Sequence, residues 1–145
     1  MYYISHRGNI NGMHDTMENH PDYVLKTVNM GYDVEIDVWY VNNSWYLGHD
    51  NPIYEVKYEF LLNQKFWLHA KNGDAFNKLL QDHTLNVFWH TTEDWVLTSK
   101  RYIWTYPNKL LYANSICVLP ERGYNGDLNH CEGICSDFIS RYEKI

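Results

Sequence analysis

Polar and apolar positions alternate most regularly at Tyr32-Asp33-Val34-Glu35-Ile36-Asp37-Val38-Trp39. In a strand this places Val34, Ile36 and Val38 on one face and Asp33, Glu35 and Asp37 on the other. The preceding segment, Pro21 to Met30, has helical spacing, with Val24, Leu25 and Val28 on one face. Pro21 suits the first turn of that helix, where a missing N–H costs nothing, and Gly31 stops it. Asn42-Asn43 signals a turn, and Trp45 to Leu47 reads as a short returning strand that ends at Gly48-His49-Asp50. Further strands are predicted at Met1 to Ser5, Phe66 to Ala70, Asn86 to His90, Tyr102 to Thr105, Ser115 to Leu119 and Gly133 to Phe138. A helix is predicted at Ala75 to Gln81, between the strands at Phe66 and Asn86. Strand-helix-strand order of this kind favours a parallel α/β architecture over an all-β sandwich.

Composition narrows the class. The chain has 145 residues, which suits a single domain spanning 1–145, and its 17% aromatic and 45% hydrophobic content supports a packed globule. A formal charge of −6 argues against a broad surface for nucleic acid, so any phosphate contact must be local. No apolar run approaches the roughly 20 residues of a membrane span. No secretory leader pattern precedes Met1 to Ser5, and the expectation is a soluble, cytoplasmic protein without a transmembrane anchor. Cys117, Cys131 and Cys135 match no common zinc-knuckle spacing and read as reduced, buried thiols.

The candidate chemistry sits where predicted strands end: His6 and Arg7, Glu35 and Asp37, His49 and Asp50, His69 and Lys71. In a parallel barrel the strand C-termini converge on one mouth, so these side chains would meet there. Glu35 and Asp37, two apart on one strand, point the same way. If Val34, Ile36 and Val38 pack outward, the two carboxylates face inward, and a divalent cation between them relieves their repulsion. The competing reading makes Asp33, Glu35 and Asp37 the solvated face of an edge strand. Lys71 also reads as a solvated strand end, and His69 as a satisfied core histidine. Glu18-Asn19, just before Pro21, reads as helix capping before it reads as part of a site. Trp39, Trp67, Trp89 and Trp104 read as core or mouth-lining residues, and His90 as a lesser candidate behind a ligand.

Four blocks in order, Ile4-Ser5-His6-Arg7-Gly8, Glu18-Asn19, Gly31 to Val38 and Gly48-His49-Asp50, resemble the signature of glycerophosphodiester phosphodiesterases, relatives of the sphingomyelinase D type phospholipases. Trp67 to Lys71 resembles that family's E-x-K strand, Ile103-Trp104-Thr105 its late W-T strand, and Gly133 to Phe138 its closing strand. The resemblance implies a TIM-type (β/α) barrel of the phospholipase C-like kind and one divalent metal on Glu35 and Asp37. It also implies His6 and His49 as general base and general acid across a phosphodiester, with Arg7 and Lys71 on the phosphate oxygens. Two imidazoles suit this division of labour because they exchange protons near neutral pH. The implied substrate is a small phosphodiester or a lysophospholipid head group, and the implied metal Mg²⁺ or Ca²⁺, with Mn²⁺ behind them. Where the family has its third carboxylate ligand, this chain has His69, a donor better suited to Mn²⁺ or Zn²⁺; Glu121 and Asp137 stand as alternative ligands. Two alternatives follow: a catalytically weakened barrel that binds a phosphate ester or metal, and a phosphotransferase that releases a cyclic phosphate.

Length then constrains the fold. A (β/α)₈ barrel usually takes about 250 residues, whereas 145 leave roughly 18 per unit. A strand, a helix and two short loops need roughly 21. The expectation is a truncated barrel with a near-full first half and a second half whose helices are reduced or missing, its surface covered by aromatic side chains. An open half-barrel would need a second chain to bury its ligand, so a homo-oligomer stays open.

Overall fold

The Asp33 to Trp39 alternation forms the central strand of a curled sheet in the computed structural model, which describes residues 1–143. In chain order the strands are β1 (Tyr2–His6), β2 (Asp33–Val41), β3 (Ser44–Leu47), β4 (Tyr54–Val56), β5 (Phe66–Ala70), β6 (Asn86–Phe88), β7 (Trp95–Leu97), β8 (Ile103–Thr105), β9 (Ser115–Val118) and β10 (Gly133–Ser136). Seven of them form a parallel series in the order β6, β5, β2, β1, β10, β9, β8. Two antiparallel excursions decorate it: β3 and β4 beyond the end of β2, and β7 against β8. Along one edge β2 pairs first with β1 and then with β3, while β5 runs along the other edge. Both edges of β2 are therefore occupied, and the solvated edge-strand reading of Glu35 and Asp37 is corrected: they are 2% and 0% exposed.

The curl of the sheet packs its inner face against itself. Ile4, Trp67, Phe88, Trp104, Ile116, Val118 and Cys135, drawn from six strands, pack into one buried cluster. The Phe88 and Trp104 rings meet with centroids 4.5 Å apart although β6 and β8 do not pair. Ser99 spans that seam: its backbone N–H donates to the Val87 carbonyl at 2.8 Å, and its Oγ accepts from the Val87 N–H at 2.9 Å.

The outer face is covered in two different ways. Helices α1 (Pro21–Asn29) and α2 (Gly73–Leu79) lie over β2, β5 and β6, burying Val34, Ile36, Val38, Leu68 and Val87 against Val24, Ala75 and Leu79. No α-helix follows α2 among the described residues. Over β9 and β10, loops and the short 3₁₀ turns Pro120–Arg122 and Ile139–Arg141 bury Cys117, Cys131, Ile134 and Ile139 beside Tyr124, Leu128 and Tyr142. All three cysteines are free and buried, and burial, foremost among the causes, pushes the Cys117 thiol up to about 12.

Local signals explain the helix starts. His20 is the N-cap of α1, its Nδ1 accepting from the Asp22 N–H at 3.2 Å, so Glu18-Asn19 does not cap that helix. Asn72 caps α2 by accepting from the Ala75 N–H at 3.0 Å, and its Nδ2 donates to the Tyr40 carbonyl, which ties α2 to the end of β2. The α2 helix runs Gly73–Leu79 instead of Ala75 to Gln81, because the Asn72 cap starts it two residues earlier.

Candidate active site

Glu35 and Asp37 project from β2 into the curled sheet, where their charge needs compensation. Arg7 Nε lies 3.1 Å from Asp37 Oδ2, and Lys71 Nζ lies 3.7 Å from Asp37 Oδ1. Asn19 clamps the same group from both sides: its Nδ2 donates to Asp37 Oδ2 at 2.8 Å, and its Oδ1 accepts from the Asp37 N–H at 2.9 Å. Asn19 holds a left-handed backbone, φ 63°, which asparagine tolerates at low cost. Burial opposes ionisation of Asp37, yet its contact with His69 and the charges of His69 and Arg7 outweigh it. Its carboxyl is held well below the usual range.

His69 faces both carboxylates, its Nδ1 3.1 Å from Asp37 Oδ1 and 3.5 Å from Glu35 Oε1. Its Nε2 lies 3.0 Å from the His90 carbonyl, which only accepts, so Nε2 carries a hydrogen. Nδ1 therefore holds either a proton or a cation. Without a metal the proton wins: burial disfavours the imidazolium, but Asp37 and Glu35 overcome it and lift His69 to about 9. Phe88 fixes the ring by stacking at 5.0 Å and 13°.

One ligand atom from each of Glu35, Asp37 and His69 lies within 4.8 Å of the others. Glu35 Oε2 is buried and has no hydrogen-bond partner among the described residues, and Asp37 Oδ1 meets His69 Nδ1 and the more distant Lys71 Nζ. Two carboxylates with spare lone pairs and an imidazole oriented by a backbone carbonyl form a donor set that fits a divalent ion.

Two further histidines flank this set. Asp137 Oδ1 lies 2.7 Å from His6 Nδ1 and also accepts from Asn9 Nδ2 at 2.8 Å, so His6 Nδ1 is the donor. The lone pair of a neutral His6 then sits on Nε2, 3.9 Å from Glu35 Oε2. Burial works against the Asp137 charge, but the bonds from His6 and Asn9 and the His6 charge leave that carboxyl below its ordinary value. His49 shows the opposite tautomer: its Nδ1 lies 2.7 Å from Arg7 Nη2, and a guanidinium only donates, so a neutral His49 carries its hydrogen on Nε2. Asp37 Oδ2 waits 3.5 Å from the same Nδ1.

No protein-family model, curated protein or solved structure matches the chain.

Seven of the eight strand-end residues singled out from the sequence, His6, Arg7, Glu35, His49, His69, Lys71 and the deeper Asp37, come together around one cleft of about 320 Å³, whereas Asp50 is exposed, 3.6 Å from His49 Nε2. The two alternative ligands do not join them in the ligand cluster. Asp137 orients His6, and Glu121 fastens the end of β10, accepting from Ser136 Oγ and the Asp137 N–H at 2.9 Å each. Glu18 accepts from Arg7 Nη1 at 3.2 Å and from Asn9 Nδ2 at 2.7 Å, so Glu18-Asn19 belongs to the site and not to a helix cap. Asn9 and Arg122 were not marked by the sequence pattern. A polar residue right after His-Arg-Gly was the only signal for Asn9, and nothing local distinguished Arg122.

Proposed function

We propose that the chain is a metal-dependent phosphodiesterase of the glycerophosphodiester type, built on a truncated TIM-type barrel. One observation carries the reading: Glu35, Asp37 and His69 converge beside the unpartnered Glu35 Oε2, with His6 and His49 on the same cleft. A bound divalent ion would supply charge to stabilise the non-bridging phosphate oxygens and acidify a coordinated hydroxyl. Because one donor is imidazole, Mn²⁺ suits the set better than Mg²⁺ or Ca²⁺.

His6, oriented by Asp137, offers the Nε2 lone pair of a general base. His49 presents Nε2–H toward a leaving oxygen. Proton donation requires His49 to take up a proton from solvent on Nδ1, which exchanges Arg7 for Asp37 Oδ2 as the partner of that nitrogen, so that delivery of Nε2–H leaves a neutral imidazole. An incoming phosphate that attracts the Arg7 fork would favour that exchange. Lys71 adds a point charge on the same wall. The attacking oxygen loses its proton to His6 and the leaving oxygen gains one from His49. If the attacker is a neighbouring substrate hydroxyl, the product is a cyclic phosphate.

The engagement of Arg7 by Glu18, His49 and Asp37 favours a second reading, a barrel that binds a phosphate ester without turning it over. Turnover of glycerophosphocholine and bis(p-nitrophenyl) phosphate with Mg²⁺, Ca²⁺ or Mn²⁺ decides between them. The expected result is metal-stimulated hydrolysis that His6→Ala reduces by about 10²–10⁴-fold. Equal rates for wild type and His6→Ala would leave only the binding reading. Phosphorus NMR of the products distinguishes a cyclic from a linear phosphate.

A further inference from the structure

One cation of the cleft has no carboxylate beside it. The chain as a whole is −6, and the cleft is lined by Arg7, Lys71 and Arg122, with Glu35 on its wall and Asp37 beneath. Two of those cations are already engaged: Arg7 by Glu18 and Asp37, Lys71 by Asp37. Arg122 is different. Among the described residues no carboxylate lies within ion-pair distance of it, and its guanidinium makes no hydrogen bond; only its carbonyl is used, accepting from Asn108 Nδ2 at 3.0 Å. It follows β9, three strands along the sheet from β2, and lines the cleft as an exposed residue of its rim.

The backbone that delivers Arg122 is strained and firmly held. Leu119 adopts a left-handed conformation, φ 49° and ψ 55°, which residues with a side chain rarely take up. Several contacts impose it. The Leu119 N–H donates to the Cys135 carbonyl at 2.7 Å, the Arg122 N–H returns to Leu119 at 3.0 Å, and the Tyr124 N–H to Pro120 at 3.0 Å. Glu121 anchors the middle of the turn to β10, and Asn108 anchors its end to the loop after β8. Strain that persists only because its surroundings enforce it is characteristic of positions that place a functional group. Here the turn places an uncompensated cation at a rim that also carries the stacked His90 and Tyr106 rings, 5.3 Å apart.

We infer that Arg122 binds a second anionic group on the alcohol side of the substrate, so that the cleft selects doubly anionic phosphate esters over those with neutral or cationic head groups. This rests on the phosphodiesterase reading for where the first phosphate sits. A guanidinium recognises a carboxylate or a phosphate by the same fork of donors, and both are included.

Calorimetric binding of glycerol 3-phosphate and glycerol 1,3-bisphosphate, each with chelator and with excess Mg²⁺, tests this directly, because the probes differ only in the second anion. Wild type is expected to prefer the bisphosphate by about tenfold. Arg122→Ala should bring the two affinities together, Arg122→Lys should keep part of the preference, and Arg122→Glu should reverse it, with unchanged thermal unfolding for all three. A wild type without preference or without binding, or a preference that survives Arg122→Ala, overturns the inference. Binding that follows Arg122 without turnover of any diester sinks the phosphodiesterase reading alone. Turnover with a preference indifferent to Arg122 sinks this inference alone.

Discussion

The two halves of the sheet bury their outer faces under different coverings. Over β2, β5 and β6 the outer face is aliphatic and lies under α1 and α2. Over β9 and β10 it is built from Cys117, Cys131, Ile134 and Ile139 and lies under turns and loops carrying Tyr124, Leu128 and Tyr142. The chemistry divides along the same line. The Glu35–Asp37–His69 cluster and both flanking histidines come from positions 6–69, whereas the second half supplies the Asp137 that orients His6 and the Arg122 rim. A covering helix is one way to keep a parallel strand dry; where strands are only three or four residues long, a tyrosine and a 3₁₀ turn reach across the same width. The loss of helices is tolerated where the strands need only close the sheet and hold a supporting carboxylate.

Paired core truncations give the largest expected effect. Leu68 and Ile134 are both 0% exposed, one under a helix and one under turns. Leu68→Ala and Ile134→Ala should each cost about 2–5 kcal/mol in urea unfolding. A loss below about 1 kcal/mol at Ile134 alone would mean that the helix-free half is loosely packed and would break the equivalence argued above.

The seam between the halves comes next. Ser99 Oγ accepts from the Val87 N–H and donates to the Leu85 carbonyl at 3.0 Å. Ser99→Ala leaves a backbone donor and acceptor short of partners, an expected loss of about 1–3 kcal/mol. Hydrogen exchange should quicken at Val87, and exchange confined to residue 99 would show that the seam carries no load.

The smallest effect is on the acid side. Asp137 has a folded pKa below its ordinary 3.8, so its contribution to stability is present above that value and is lost as pH falls through the lower, folded one. The wild type should therefore lose thermal stability in that window more steeply than Asp137→Asn. Parallel acid curves would remove the His6–Asp137 pair from the stability of the second half.

Much of this arrangement was legible in the sequence. Period-two alternation placed Val34, Ile36 and Val38 under helices and turned Glu35 and Asp37 inward, because one face of a buried strand must meet an apolar layer. Length anticipated that α-helices would be missing from the second half, and none follows α2 among the described residues. Strands β4 and β7 were not anticipated: three residues each, Tyr54–Val56 and Trp95–Leu97, give too little periodicity to stand out. Asn19 was obscured for another reason. An Asx residue before a proline-led helix has the local chemistry of a cap, and only the long-range contact with Asp37 shows that His20 took that role. Arg122 was not legible at all, since its position depends on the left-handed corner at Leu119, a conformation that no local rule assigns to leucine.

The central claim is that Glu35, Asp37 and His69 hold one divalent ion between His6 and His49. A crystal structure grown with Mn²⁺ and read by anomalous difference density tests it most directly. The account predicts one strong peak in contact with carboxylate oxygens of Glu35 and Asp37 and with Nδ1 of His69, while Nε2 keeps its bond to the His90 carbonyl. No peak at these residues at saturating Mn²⁺, with His69 Nδ1 still paired to the two carboxylates, would contradict it.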